Sequence, residues 1–163
     1  MLLSEVLREK TVKMRLRAMD KTHAIEELVD KLIEAGEIPM VLRGHVLDIV
    51  MEREKSTTTG VGNGVAIPHG GTERIPNVVG TLGLAPNGIN FECRDGLPST
   101  IIVLLVIPRK SFQDHIHTMA SVSRVLSNPS LRSALLSAPD AAAVLKLIKD
   151  QEAQITQRRG QPK

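Results

Sequence analysis

Aromatic residues are nearly missing from this chain, which has two phenylalanines and neither tyrosine nor tryptophan. Proteins that hold single-stranded nucleic acid stack its bases on exposed aromatic side chains, so this scarcity argues against such a protein. The net charge is only +3, and no basic stripe matches the basic C-terminal run QRRGQPK. We therefore expect no nucleic-acid binding, and a core built from Leu, Ile, Val, Ala and Met.

Cysteine and long apolar runs are scarce as well. Cys93 is the single cysteine, which rules out an intrachain disulfide and is typical of a reducing cytosol. A lone cysteine just before a strand is more often a small buried hydrophobe than a nucleophile. The longest aliphatic run, IIVLLVI, is far shorter than the about 20 residues of a membrane span. The N-terminal MLLSEVLREK lacks a signal-peptide pattern, so we expect a cytoplasmic protein without direct membrane insertion.

Apolar spacing predicts strands that alternate with helices. The helices are expected at residues 21–35, 40–54, 111–126, 130–137 and 141–148, with a helical turn at 2–7, and the strands at 11–17, 65–68, 78–84 and 99–107. The last strand is apolar on both faces, which is typical of a central strand in a covered sheet. This order predicts the α/β class: a single-domain α/β/α sandwich with a central mixed β-sheet. We expect the domain to span residues 1–150 and the polar, basic tail 151–163 to fray.

A stretch of small residues, TTTGVGNGVAIPHG at 57–70, carries the chemistry of interest. Its backbone N–H groups are suited to forming an anion-binding concavity, to which the side chains of threonine and asparagine add donors. The candidate phosphate-binding residues are Thr58, Thr59, Gly60, Gly62, Asn63 and Gly64. The dinucleotide fingerprint and the P-loop both fail to match, because the third glycine and the Gly-Lys-Ser/Thr triplet are missing. On composition alone, such a loop is more often a tight turn than a binding site.

His69 ends this stretch directly after Pro68, which stiffens the backbone. An unperturbed imidazole is mostly neutral, and hence nucleophilic, at pH 7. Phosphoryl transfer needs positioning and charge stabilisation. Arg53 offers a guanidinium fork suited to phosphate oxygens, and His115 offers a second imidazole at a helix start, where anions bind. The plainer interpretations, a solvated helix-end arginine and a polar helix-start residue, stay open.

A metal site is the weaker alternative for the histidines. His115 and His117 are two residues apart, so on a helix they point to different faces and do not converge with His69 and Cys93 on one ion. His23 and His45 lie among charged neighbours on predicted helices, where we expect surface or boundary positions.

The run REKSTTTGVGNGVAIPHG, residues 53–70, resembles the active-site signature of fructose/mannitol-type enzyme IIA domains of the bacterial phosphotransferase system (PTS EIIA type-2). The nitrogen-regulatory IIA proteins belong to the same group. The resemblance continues through FECRDGLPSTIIVLLVIP and DHIHTMASVSRVLSNPSLRSALLSA and covers about residues 2–150. It departs from the family at Thr57, where the family pattern has glycine, so we expect the loop backbone to differ there.

The resemblance implies a phosphocarrier in which His69 accepts the phosphoryl group, with His115 as the second active-site histidine and Arg53 as the arginine. The donor would be the histidine phosphocarrier protein HPr or an HPr-like protein. The receiver would be a IIB domain or a regulatory target protein, with no metal, nucleotide or other cofactor. We favour the nitrogen-regulatory type, because no IIB, IIC or HPr-like segment is attached. The alternatives are a fructose- or mannitol-specific IIA of sugar transport and a IIA-like binding module that no longer carries phosphate.

Overall fold

The computed structural model describes residues 1–161, the side chains of Phe112 and Asp114 excepted, and it contains one mixed sheet. The strands are β1 (Val12–Lys13), β2 (Gly60–Gly62), β3 (Val65–Ala66), β4 (His69–Thr72), β5 (Val79–Ile89) and β6 (Ser99–Pro108). They run in the order β1-β5-β6-β3-β2, and β4 also pairs with β6. The pairs β5–β6 and β2–β3 are antiparallel, and the others are parallel, so the predicted mixed sheet is confirmed.

Helices cover both faces of this sheet. They are α1 (Leu3–Val6), α2 (Lys21–Glu34), α3 (Arg43–Ser56), α4 (Phe112–Leu126), α5 (Pro129–Leu136) and α6 (Ala141–Arg159). Helices α1, α4, α5 and α6 contribute to one apolar cluster, and α2 and α3 to a second. Successive residues of β6 alternate between the two clusters, as Ile101 and Ile102 do, which is the two-residue period of a strand covered twice. The predicted α/β/α sandwich is therefore confirmed.

The helix boundaries follow capping chemistry that the sequence carries. The Asp20 carboxylate accepts the backbone N–H of His23 at 2.9 Å and begins α2, and Gly36, with φ of 77°, follows its end. Asn128 and Asp140 cap α5 and α6 in the same way. Helix α3 begins at Arg43, slightly later than expected, because a 3₁₀ turn occupies Met40–Leu42.

The sheet differs from the expected elements in several places, and β5 continues to Ile89 rather than ending at residue 84. The strand expected at 11–17 is reduced to β1, although the backbone N–H of Leu16 still donates to the carbonyl of Leu84 at 2.8 Å. Strands β2 and β4 were not expected at all, since both are short and rich in glycine. They form because β3 and β6 offer them backbone partners.

The last helix extends further along the chain than the sequence predicts. Helix α6 continues to Arg159, whereas the sequence predicts a helix end near residue 148 and a frayed tail at 151–163. Glu152 is 4 % exposed, and its carboxylate accepts the backbone N–H of Ser4 at 3.3 Å. Ile155 packs against the first apolar cluster. Residues 162 and 163 of the expected tail lie outside the described residues. Within residues 1–161, no helix combines the length and apolar character that crossing a bilayer requires.

Candidate functional site

His69 lies where two short strands follow one another along β6. Strand β3 pairs Ala66 with Ile102, and pairing resumes at His69 with Leu105. Between them stands Pro68, which has no N–H to donate to a ladder, while its carbonyl accepts the N–H of Leu105 at 3.0 Å. Strand β2 covers the outer edge of β3 but not that of β4. At His69, where β4 begins, no further strand of the described residues pairs with the outer edge of the sheet.

The glycine-rich segment before His69 folds as a hairpin between β2 and β3. Asn63 and Gly64 have φ of 57° and 80°, the left-handed conformation that both central residues of a type I′ turn need. This finding agrees with the plainer interpretation of the loop, a tight turn.

Several donors of this hairpin are paired within the protein. The hydroxyl groups of Thr58 and Thr59 donate to the carbonyl of Phe91 and to the carboxylate of Glu54. The N–H of Asn63 donates to the Asp95 carboxylate at 2.8 Å. Most of the candidate phosphate-binding residues line a separate depression beside Arg94 and Asp95, namely Thr58, Gly60, Gly62 and Asn63. Thr59 and Gly64 are buried. Their phosphate-binding role stays a prediction.

The buried carboxylate of Glu54 fixes the connection between α3 and β2. Its side chain is 1 % exposed and accepts the N–H of Thr59 at 3.1 Å together with the Thr59 hydroxyl. The ammonium group of Lys21 on α2 lies 3.4 Å away and compensates the charge. A buried carboxylate partnered in this way holds the last turn of α3 and the start of β2 together.

Close packing of α3 on β4 brings the arginine to the histidine. A Cβ atom on Gly70 would lie 2.9 Å from Cγ1 and 3.2 Å from the carbonyl carbon of Ile49 on α3. Glycine is thus needed for the helix to come this near. Arg53 lies one helical turn beyond Ile49, so the same approach sets it beside His69.

His69 and Arg53 line one open pocket of about 400 Å³. Helix α3 contributes Ile49, Glu52, Arg53 and Ser56, β4 contributes His69, Gly70 and Gly71, and Arg109 comes from the turn after β6. The α3 residues have the spacing of one helix face, so counting from Arg53 would have identified them in the sequence. Arg109 carries no such signal, since it stands in an irregular turn.

The imidazole of His69 has one nitrogen engaged and one available. Nδ1 lies 2.9 Å from the carbonyl oxygen of Ile67, and because a carbonyl only accepts, Nδ1 carries the hydrogen. The lone pair is then on Nε2. Burial lowers the pKa of His69 below its usual value, and Arg53 lowers it further, against the opposing effects of the Ile67 hydrogen bond and of Glu54. The ring is a neutral nucleophile at neutral pH.

Arg53 is oriented by the end of its own helix. Its Nη1 donates to the carbonyl of Thr57 at 2.9 Å and lies 3.5 Å from the hydroxyl oxygen of Ser56. The guanidinium group has five N–H donors, so these two contacts leave others for an anion in the pocket.

His115 does not line the His69 pocket. It is 5 % exposed on the first turn of α4 and lines a separate depression with α1 and residues 75–79. The structure thus brings together two of the three side chains that the resemblance unites, and an active-site role of His115 stays a prediction.

The positions of His23, His45 and Cys93 agree with those expected. His23 is exposed, and His45 lies at the α3–β4 boundary with Nε2 2.7 Å from the Thr72 hydroxyl oxygen. Cys93 is 8 % exposed, which confirms a small buried hydrophobe. The described residues contain no cluster of three His, Cys, Asp or Glu side chains suited to a metal ion.

Comparison with known protein families gives one family match. The family described as "Phosphoenolpyruvate-dependent sugar phosphotransferase system, EIIA 2" matches residues 5–151. A nitrogen regulatory protein of Bradyrhizobium diazoefficiens is 32% identical over 133 residues, covering 82% of this chain and 85% of that protein. A fructose-specific EIIA component of Haloferax volcanii is 31% identical over 130 residues, covering 80% and 83%. The chain spans only 24% of a fructose-specific EIIABC component of Bacillus subtilis, with 26% identity over 152 residues.

Solved structures share the fold. The nitrogen regulatory protein IIA-Ntr of Neisseria meningitidis superimposes with a TM-score of 0.81 at 24% identity, covering 90% of this chain and 98% of that one. The mannitol enzyme IIA of Escherichia coli, in its complex with phosphorylated enzyme IIB, superimposes with a TM-score of 0.74 at 20% identity, covering 88% and 97%. At these identities the likeness shows the architecture alone.

Proposed function

This chain belongs to the phosphoenolpyruvate-dependent sugar phosphotransferase system EIIA 2 family, and from that membership we propose that His69 is its phosphoryl-accepting residue. The observation that carries the proposal is the hydrogen bond of Nδ1 to the Ile67 carbonyl in a pocket shared with Arg53. It leaves the nucleophilic lone pair on Nε2, next to a cation suited to phosphate oxygens.

The proposed reaction is a direct displacement at phosphorus. Nε2 of His69 attacks the phosphorus atom of a phosphohistidine on the donor, HPr or an HPr-like protein. The new Nε2–P bond forms as the donor's N–P bond breaks, and the leaving imidazole nitrogen recovers its lone pair. The proton on Nδ1 stays hydrogen bonded to Ile67, so no proton has to move. Arg53 stabilises the charge on the non-bridging oxygens.

Phosphorylation with purified components tests this proposal. The chain is incubated with phosphoenolpyruvate, enzyme I and HPr, and we expect an acid-labile phosphate on the wild type and on His117→Ala, but none on His69→Ala. His117 is the matched control because it is an exposed histidine outside the pocket. Nitrogen-15 NMR of the product should place the phosphate on Nε2. A wild-type chain that stays unlabelled with several HPr homologues would overturn the proposal.

His115 and the hairpin remain in the proposed site on the family resemblance alone. His115→Gln keeps a polar side chain at the buried position, and we expect it to slow transfer while the chain remains folded. A His115→Gln variant that transfers at the wild-type rate would exclude this histidine. The hairpin is tested separately with Asn63→Asp, which keeps a residue tolerant of positive φ and adds negative charge, so we expect slower transfer. A wild-type transfer rate in this variant would exclude phosphate contact at the hairpin.

For the receiver of the phosphate, we propose a regulatory target protein of the nitrogen-related branch. Relatives named nitrogen regulatory proteins support it, because the chain covers nearly their full length, 85% in one and 91% in another. The fructose-specific EIIA relative, covered to 83%, favours the second candidate, transfer to a IIB domain of sugar transport. Mixing the phosphorylated chain with isolated fructose and mannitol IIB domains separates the two. Rapid transfer to either domain supports transport, and its absence with both supports regulation.

A further inference from the structure

A second arginine, Arg109, lines the pocket of His69 from an element that the family signature does not include. Arg53 comes from α3, whereas Arg109 opens the 3₁₀ turn Arg109–Ser111 that follows β6. The register of the two strands explains its position. β4 and β6 run parallel from His69 and Leu105 to Thr72 and Pro108, so the residue after Pro108 leaves the sheet next to the end of β4.

Arg109 is exposed, and its guanidinium group has no hydrogen-bond or ion-pair partner among the described residues. None of the hydrogen bonds and ion pairs among the described side chains and backbone involves the side chain of Arg109, whereas Arg53 donates to the carbonyl of Thr57. Arg109 therefore offers all five of its N–H donors to a ligand of the pocket.

The stretch of β4 that separates His69 from Arg109 in space carries no side chain that would fill the pocket. Side chains alternate along a strand, so Gly71 shares a face of β4 with His69, and it has no side chain. Gly71 and Arg109 both line a second groove as well, which continues the pocket toward His45 and Thr72. No side chain at Gly71 therefore separates His69 from Arg109 within the pocket.

The charges around the pocket decide what it can hold. Among the described residues that line it, Glu52 and Arg53 offset each other, so without Arg109 these residues would present no net charge to a neutral His69. Arg109 gives the pocket one net positive charge. A phosphoryl group on a side chain carries about −1.5 to −2 at pH 7, so it is the class of ligand that two arginine forks would suit.

We propose that Arg109 is a second phosphate-binding residue, which contacts the non-bridging oxygens of the phosphoryl group on Nε2 of His69. The proposal rests on the proposed function of His69 and adds a group to its site. Arg53 and Arg109 then hold the phosphoryl group from α3 and from the turn after β6. Arg109 stabilises both the transferring group and the phosphohistidine that results.

Substitutions at Arg109 and at its neighbour Lys110 test this proposal. Lys110 is the matched control, because it is an exposed cation of the same turn that does not line the pocket. For transfer from phosphorylated HPr, we expect Arg109→Ala to lower the rate roughly tenfold, less than the loss of a buried oxyanion donor. Arg109→Lys should recover part of the rate, since lysine supplies the charge but not the fork. Lys110→Ala should transfer at the wild-type rate.

A second measurement uses inorganic phosphate and needs no partner protein. Phosphate is titrated into each variant while the NMR signal of the His69 Cε1–H is followed, and we expect Arg109→Ala, but not Lys110→Ala, to weaken binding several-fold. If HPr labels the wild type and the two alanine variants behave alike, Arg109 is excluded and His69 keeps its function. If HPr fails to label the wild type, the function of His69 fails and the phosphate titration decides about Arg109. Absence of both labelling and phosphate binding overturns both proposals.

Discussion

The pKa of His69 depends on burial and on the charge of Arg53, and both lower it. Because the charged form is disfavoured, the ring stays neutral down to a lower pH than a free histidine, whose pKa is about 6.5. The rate of phosphorylation should therefore stay constant as pH falls toward neutrality from above, and decline only as pH passes through the lowered pKa of His69.

Removal of the Arg53 charge should shift this decline. In Arg53→Ala we expect the pKa of His69 to rise, because a nearby positive charge no longer opposes protonation. The acid limb of the rate profile should move to higher pH with it. The pKa is measured from the NMR shift of the His69 Cε1–H against pH. Lys55→Ala is the control, since it removes an exposed cation of the same helical turn outside the pocket. An unchanged or lower pKa in Arg53→Ala would contradict the electrostatic account.

Single residues differ in how far the sequence could predict them. Local order made His69 and Arg53 candidates, since a proline-fixed histidine and a helix-end arginine flank a glycine-rich segment, and the family resemblance assigned their roles. Glu54 looks like a solvated helix-end residue, because its burial depends on Lys21 and Thr59, and Lys21 is distant in the sequence. Arg109 was missed for the same reason, since only the pairing of β4 with β6 brings it to the pocket.

At the scale of elements, the contact of α3 with β4 determines the geometry of the site. In Gly70→Ala, the added methyl group would meet Ile49 at 2.9 Å. We expect a loss of about 1–3 kcal/mol in the free energy of unfolding from overpacking. The phosphorylation rate should also fall, because the helix that carries Arg53 must shift away from His69. Urea denaturation and the HPr assay measure the two effects.

The same substitution elsewhere on α3 provides the control for Gly70→Ala. A Cβ atom on Gly44 would meet nothing within 4 Å, and the residue lies in the first turn of α3. Gly44→Ala should thus leave phosphorylation unchanged and raise stability by up to about 1 kcal/mol through helix propensity. Equal effects of the two substitutions would show that the close approach of α3 to β4 is unimportant.

The connection from α3 to β2 should be sensitive to its buried carboxylate. Glu54→Ala leaves the ammonium group of Lys21 and the N–H of Thr59 without their buried partner, so we expect a loss of about 3 kcal/mol or more in unfolding free energy. Glu92 is a second carboxylate near Lys21, at 3.7 Å, but it is 72% exposed. Glu92→Ala should therefore cost less than about 1 kcal/mol. Urea denaturation measures both variants, and similar losses of unfolding free energy would refute the stabilising role of the buried Glu54 carboxylate.

Helices were predicted from the sequence better than strands, for a physical reason. A helix such as α2 carries its apolar period and its Asp20 cap within one segment. Strands β2 and β4 have no alternating pattern, because glycine occupies two of the three positions of β2 and two of the four of β4. They are defined by backbone pairing with β3 and β6, which sequence periodicity does not report.

At the scale of the whole molecule, the two apolar clusters on either side of β6 explain why the sandwich could be predicted. The full length of the last helix, α6, could not. An apolar run such as residues 101–107 requires cover on both faces, which implies helices on both sides. The buried side of α6 continues from Val144 and Ile148 through Glu152 at helical spacing. An acidic residue in that stripe interrupts the apolar pattern, so the sequence suggested a polar tail.

Two neighbouring substitutions on α6 separate a docked helix from a frayed tail. Ile155 packs against the first apolar cluster, and adjacent Gln154 is exposed. Ile155→Ala should lower the free energy of unfolding by about 1–2 kcal/mol, less than a fully buried isoleucine would because its burial is partial. Gln154→Ala should stay within about 0.5 kcal/mol of the wild type. Urea denaturation measures both. A frayed segment loses no packing on truncation of either side chain, so equal stabilities would mean that α6 ends before residue 154, as the sequence alone predicts.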